Sequence, residues 1–195
     1  MNMLNLASIV PCTESEGPGK RFALWVQGCM KCCPGCCNPH MFELASKQIV
    51  PCGAIVKQIL HARSMHHIEG VTFLGGEPML QAKGLSYVAH RCQAKGLSVM
   101  VFTGYTLSEL KQMRLTGVDE LISLTDILVS GPYLREYPET LRNWIGSTNQ
   151  QFHFFTARYP PSIEYDPRYS PSVEFRIGRD GRVRLNGEPT TVSSR

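Results

Sequence analysis

The chain predicts an α/β fold: a partial, open β/α barrel of parallel strands with outer helices, and a β-hairpin at each end. Three observations carry that expectation. Short β-branched or aromatic runs alternate with stretches of helical spacing, the pattern of strand and helix units stacked on one sheet. Several of the runs end in glycine-containing turns, and ligands of open α/β sheets gather beyond the carboxyl ends of the strands. A closed eight-fold barrel takes about 250 residues, whereas this chain has 195, so the barrel is expected to stay open. At 43% hydrophobic the chain fills one core and is too short for two. A single domain over 1–195 is expected, its core at about 20–156 and a hairpin tail at about 157–195.

Leu4 to Val10 reads as a short apolar strand and Phe22 to Val26 as a more buried one. Glu14-Ser15-Glu16-Gly17-Pro18-Gly19-Lys20-Arg21 between them combines Gly-Pro-Gly with charge, which makes a turn. From Pro51 to Leu60 the spacing of Ile55, Ile59 and Leu60 predicts a helix over the sheet, and His66-His67 suit a cationic helix end. Val71 to Leu74 is a buried strand leading into Gly75-Gly76-Glu77-Pro78. Gln81 to Lys95 places Leu85, Val88, Ala89 and Cys92 on one helical face, and Gly96 stops it before the strand Leu97 to Phe102. Thr103-Gly104-Tyr105 then occupies the position equivalent to Gly75-Gly76-Glu77, with a helix from about Leu107. A fourth strand, Asp126 to Val129, runs into Ser130-Gly131-Pro132-Tyr133. Phe152 to Phe155 is strand-like and is followed by a Pro-rich loop from Pro160 to Pro171. Val173 to Ile177 pairs through Asp180-Gly181 with Arg182 to Leu185 as the terminal hairpin.

The formal charge of +4 comes from Lys and Arg scattered along the chain, without the clustered basic run of a nucleic-acid footprint. No DNA or RNA binding is inferred. The N-terminus lacks a basic lead before an apolar segment, and no apolar run approaches the roughly 18 residues that span a bilayer. A cytoplasmic protein with reduced thiols and no membrane association is expected.

Five of the eight cysteines fall between Cys29 and Cys37, a density that asks for a metal centre because thiolates are soft anionic ligands. Disulfides suit short secreted chains and are disfavoured here. A structural zinc would use Cys29-x2-Cys32 as its first pair, but Cys12, Cys52 and Cys92 are isolated and only His66 and His67 offer remote help. Inert buried thiols explain single cysteines, not five together. Read as Cys29-x3-Cys33-x2-Cys36, the loop gives three thiolates to a four-iron, four-sulfur cube whose fourth iron is open to a substrate. Cys29-x2-Cys32-x3-Cys36 and Cys33-x3-Cys37 compete with that register.

Cys29-x3-Cys33-x2-Cys36 resembles the loop of the radical S-adenosylmethionine (SAM) superfamily, and Gly75-Gly76-Glu77 resembles that superfamily's SAM-binding GGE motif. Gly17-Pro18-Gly19-Lys20-Arg21 resembles the GPGxR segment of glycyl-radical-enzyme activases. Thr103-Gly104-Tyr105, and Ile127 to Tyr133 followed by Leu141 to Gln150, resemble the TGY and "DGPY … RGSSNQ" segments of anaerobic ribonucleotide reductase activating proteins. Ser130 stands where those proteins carry an acidic residue, and Thr148 where they carry a serine. The terminal hairpin too resembles the tails of such relatives. The resemblance favours Cys29, Cys33 and Cys36 as metal ligands, since that register has Gly28 before it and Asn38 two residues after. It implies SAM contacts at Gly35, Cys37, Gly75, Gly76, Glu77 and Thr103, with Glu77 facing the SAM ammonium. The implied cofactors are a [4Fe-4S] cluster and SAM, and the implied activity is installation of a glycyl radical on a partner enzyme, an anaerobic ribonucleotide reductase. A flavodoxin- or ferredoxin-like protein would supply the electron. The alternatives are a radical SAM enzyme for a small molecule or peptide, an iron–sulfur electron carrier and a zinc-binding module. An electron carrier normally has four cysteine ligands on its cluster, which argues against it.

Overall fold

The computed structural model describes residues 2–169, 173–178, 180–181 and 183–187. In chain order, β1 (Met3–Thr13) turns back into β2 (Arg21–Val26), and β3 (Ile49–Pro51) leads directly into α1 (Cys52–His66). Next come β4 (Gly70–Gly75), α2 (Ala82–Gln93), β5 (Ser98–Thr103), α3 (Leu107–Gln112), α4 (Val118–Ser123) and β6 (Ile127–Ser130). After a long loop follow β7 (Gln151–Phe154) and the hairpin β8 (Val173–Ile177) and β9 (Val183–Gly187). Arg182 and Pro171, assigned from sequence to the hairpin and to its preceding loop, lie outside the described residues.

The expected parallel strands and N-terminal hairpin are present in one mixed sheet, which β3 and β7 also join. The seven strands run in the order β3-β1-β2-β4-β5-β6-β7, with β2, β4, β5 and β6 parallel and the flanking strands β1, β3 and β7 antiparallel to their neighbours. The physical reason at β7 is its connection. Parallel neighbours need a crossover, usually a helix, to bring the chain back to the starting end. Residues 131–150 contain no helix and remain at the carboxyl end of β6, so β7 returns in the opposite direction. The sequence also passed over β3 and α4, of three and six residues, which are too short to show a period.

Alternation along the strands gives the sheet two different faces. Phe22, Leu24, Val71, Phe73, Val99, Val101 and Leu128 point to the outer face, where Ile55 and Ile59 of α1, Leu85 and Val88 of α2, Leu110 of α3 and Leu121 of α4 cover them. Helix α2 buries the face predicted for it, and α1 ends at His66 with His67 in a left-handed cap. On the inner face Ala23 and Trp25 join Val10 and Met41, while Met100, Ile127 and Val129 join Ile145 with Phe102, Phe152 and Phe154 against them. Between these two clusters lies the main cavity.

At the amino ends of the parallel strands, the Arg21 guanidinium is fully buried. It donates to the Pro18 and Val71 carbonyls, Thr72 Oγ1, Ser98 Oγ and Tyr159 Oη, and burial pulls its pKa down. The GPGxR segment therefore closes the end of the sheet opposite the cysteine loop. The β8–β9 hairpin is pinned to the same region: the Glu14 amide donates to Glu174 Oε1 at 2.8 Å, Asn186 Nδ2 to Thr13 Oγ1 at 2.9 Å, and the Gly187 amide to Glu16 Oε1 at 2.7 Å.

Candidate metal centre at the strand ends

The cysteine loop leaves the carboxyl end of β2. It is clamped at its base, where the Gly28 amide donates to Met41 O at 2.9 Å and the Cys29 amide to Phe42 O at 3.0 Å. Met41, in a 3₁₀ turn that begins at Pro39, is buried against Trp25. Cys29, Cys33 and Cys36 are half-buried and line a cavity of about 860 Å³. Gly35 lines it beside Arg135 and Tyr133, and the exposed Cys37 lines it as well. Cys32 is different. It is exposed, does not line the cavity, takes a left-handed φ of 45°, and its thiol donates to the Cys29 carbonyl at 3.2 Å.

The thiols differ in their readiness to ionise. A hydrogen bond from Cys37 and a weaker one from the Asn38 amide hold the Cys36 thiol below the usual range, at about 6, against the opposing effect of burial. Burial pushes Cys29 up. A cube binds each thiolate at a different iron, so its ligands need not meet at one point. Among the described residues, no group of three or more His, Cys, Asp or Glu side chains is arranged to hold a single ion. Three half-buried thiols around an open cavity fit the cube.

Gly75 and Gly76 end β4 directly beneath the cysteine loop. The Gly76 amide donates to Val26 O and the Glu77 amide to Gly28 O, both at 2.8 Å. A Cβ on Gly76 would stand 2.3 Å from the Gly28 carbonyl oxygen, and one on Gly75, at φ +113°, 2.6 Å from the Val26 nitrogen. The two glycines thus let the turn pass against the base of the cysteine loop while lining the cavity. Glu77 is 1% exposed. Its Oε1 accepts from the Met79 amide at 3.0 Å and from Thr103 Oγ1 at 2.8 Å, and its Oε2 from the Gly104 amide at 2.8 Å. Burial raises its carboxyl to about 7, against the lowering effect of those donors and of Lys31. Glu77 therefore ties the end of β4 to the end of β5, and Thr103 is one of its ligands.

Several wall residues had no role in the sequence reading. Lys31 sits 4.3 Å above the Tyr105 ring and bonds Glu109 at 2.8 Å, spanning from the cysteine loop to the end of β5. Its signal was a lone cation inside the cysteine run. Tyr133, Trp144 and Gln150, quoted only as parts of a motif, also line the cavity, with Gln150 Oε1 accepting from the Gly146 and Ser147 amides. Ser130 does not line it. Its hydroxyl lies 2.8 Å from His153 Nε2, and the side chain faces away from the cavity. Cys52 and Cys92 are buried in the outer core, where burial lifts Cys92 to about 12.

A family model described as a 4Fe-4S single cluster domain matches residues 15–153. Proteins named "Anaerobic ribonucleoside-triphosphate reductase-activating protein" are similar over most of their length. The one from Enterobacteria phage T4 is 30% identical over 154 residues, which is 76% of this chain and 92% of that protein. Those from Escherichia coli (strain K12) and Vibrio cholerae serotype O1 are each 30% identical, covering 77% and 78% of this chain and 98% and 99% of theirs. The family match ends before the tail from about 157, whose expected likeness to relatives' tails therefore lies outside it. With nearly the full length of those relatives matched and the cluster domain spanning the site just described, the chain belongs to the family of 4Fe-4S anaerobic ribonucleoside-triphosphate reductase-activating proteins.

Proposed function

We propose that this protein is a radical SAM activase that installs a glycyl radical on an anaerobic ribonucleoside-triphosphate reductase. Cys29, Cys33 and Cys36 would hold a [4Fe-4S] cluster, and Gly35, Cys37, Gly75, Gly76, Glu77 and Thr103 would contact SAM. The observation that carries this reading is the sorting of the cysteines: these three are half-buried and share one cavity with the Gly75-Gly76-Glu77 turn, whereas Cys32 is turned out of it. The cysteine loop and the glycine turn interlock through the bond from the Glu77 amide to the Gly28 carbonyl, which sets the two proposed cofactor sites side by side.

When bound, the reduced cluster and SAM together supply a 5′-deoxyadenosyl radical, methionine being the other product. The chain's own residues bind and orient. The Glu77 carboxylate, itself buried, would give an acceptor for the SAM ammonium, a charge-assisted contact. Thr103 and the Gly104 amide hold that carboxylate in place. Held there, the cofactor pair would supply the means to remove a hydrogen atom from the Cα of a partner glycine, which would leave a glycyl radical and 5′-deoxyadenosine. We read the sheet as one domain curved into a partial barrel, its inner face forming the cavity. A gap in that barrel admits a polypeptide loop where a closed one would admit only a small molecule. A flavodoxin- or ferredoxin-like donor, a cytoplasmic location and no binding to nucleic acid or membrane complete the proposal. No helix among the described residues is long and apolar enough to cross a membrane.

The test is direct. Anaerobically reconstituted protein with a strong reductant should cleave SAM to methionine and 5′-deoxyadenosine. Mixed with a purified anaerobic ribonucleoside-triphosphate reductase, it should yield a glycyl radical by electron paramagnetic resonance. Cleavage without a protein radical would move the substrate to a small molecule or peptide, and no cleavage by fully loaded protein would end the proposal.

A further inference from the structure

The β8–β9 hairpin lies beyond the matched family segment, which ends at 153, and it is built with two unlike faces. One face bonds the β1–β2 turn through Glu174, Asn186 and the Gly187 amide. The other carries Phe175, Ile177, Val183 and Leu185, which pair across the hairpin as Phe175 with Leu185 and Ile177 with Val183. Their exposures are 61%, 76%, 53% and 49%, and nothing described in the chain covers them. An apolar strand face anchored firmly on its back is costly to leave in water unless something docks on it.

Two observations say what that is. Ile177 and Leu185 also line the cavity that holds Cys29, Cys33 and Cys36, so the apolar face borders the same cavity as the site. Arg176 is taken up by Glu174 and the Cys12 carbonyl on the anchored face, and beyond that pair the sequence from Val173 to Gly187 carries three arginines against one Asp, which selects a partner surface with acidic flanks. We propose that this hairpin face is the docking surface for the partner reductase. It would receive an apolar, acid-flanked segment next to the partner's glycine and steer that glycine into the cavity. This rests on the activase reading above and adds the surface that recognises the partner.

The test uses the full-length, cluster-loaded protein with Phe175→Ser and Val183→Ser combined, since neither residue lines the cavity. SAM cleavage without partner should match wild type. In glycyl radical formation, the concentration of reductase giving half-maximal rate should rise at least tenfold, because truncating two anchors of an interface commonly has an effect of that size. An unchanged half-maximal concentration overturns the proposal. So does a change of oligomeric state by light scattering with reductase dependence unaltered, which would make the face a contact between copies of this chain. Failure of the wild type to form any glycyl radical while cleaving SAM normally would fault the activase reading instead, and that control is read first. Loss of partner-free SAM cleavage in the double variant would also overturn the proposal, because the hairpin would then be shaping the cavity itself.

Discussion

The cysteine loop and the Gly75-Gly76-Glu77 turn meet at one backbone hydrogen bond, yet they are finished in opposite ways. The turn is complete as polypeptide: its amides bond Val26 and Gly28, its carboxylate accepts three donors, and Glu77 is 1% exposed. The loop is fastened at its base, but among the described residues its backbone-to-backbone bonds from Met30 to Asn38 are the Cys36 amide to the Cys33 carbonyl and the Met41 amide to the Asn38 carbonyl, and its side chains are half-buried or exposed. A segment rich in thiols and poor in internal bonds is one that metal binding completes. The turn should therefore govern folding, and the loop should govern cofactor content.

The largest effect expected is from Gly76→Ala. Its Cβ would meet the Gly28 carbonyl oxygen at 2.3 Å, a backbone atom that cannot swing aside. A loss on the order of 3 kcal/mol follows from forcing the turn off the loop, read as a drop of about 6–12 °C in the melting temperature of the metal-free chain. A smaller drop of about 1–2 kcal/mol is expected for Glu77→Gln. The Gln oxygen can still accept from Met79 and Thr103, but its NH₂ then faces the Gly104 amide, donor against donor. SAM affinity should fall as well while iron content is kept. Equal melting temperatures for Glu77→Gln and wild type would break the distinction between turn and loop.

In the loop the order reverses. Cys29→Ala, Cys33→Ala and Cys36→Ala should each abolish iron content and visible absorption after reconstitution, yet shift metal-free stability by less than about 0.5 kcal/mol, as partly exposed positions do. Cys32→Ala and Cys37→Ala should keep the cluster. Cluster loss in Cys32→Ala with retention in Cys33→Ala would mean the register is wrong, whatever the cavity suggests.

These two regions were not equally legible in the sequence. The cysteine spacing and the strand runs of β2, β4, β5 and β6 are local patterns, and each strand lies where its run predicted. So is the buried face of α2, because helical period alone sets it. What could not be read was long-range. The bonds from Thr103 and Gly104 to Glu77 join residues 26 and 27 positions apart, and they exist only because β4 and β5 are parallel neighbours. The direction of β7 depends on a connection without a helix, and the exposure of the β8–β9 face depends on what the hairpin's other face grips. Ser130 shows the middle case. Strand parity fixes its side of the sheet once Val129 is known to face inward, but one-residue parity is not visible in a run of Ile127-Leu128-Val129 that is apolar on both faces.

The smallest effect expected is a change in pH dependence, and among the described residues it separates Glu77 from the other buried glutamate, Glu16. Burial raises both to about 7. A carboxyl whose folded pKa exceeds its unfolded value of about 4.5 binds its proton more tightly in the folded state. Its contribution to stability is complete below about 4.5 and is lost as pH rises through about 7. The contribution of these two glutamates to the melting temperature of the metal-free chain should therefore fall between pH 5 and 8, against an opposite contribution from Cys36, which is held at about 6. Glu16 Oε1 accepts from the Gly187 amide, a bond that a Gln oxygen reproduces, so Glu16→Gln should remove part of that slope without lowering stability at pH 5. Glu77→Gln should flatten the slope too, but from a lower starting value, because its amide meets the Gly104 donor. Glu139, held at about 2 by the backbone amides of residues 140–142 and by Arg142 against the opposing effect of burial, contributes stability that is complete above about 4.5 and is lost as pH falls toward about 2, so it adds no slope between pH 5 and 8. A slope that survives both substitutions intact would place the titrating group elsewhere and would leave the hairpin anchored by its other bonds to the β1–β2 turn.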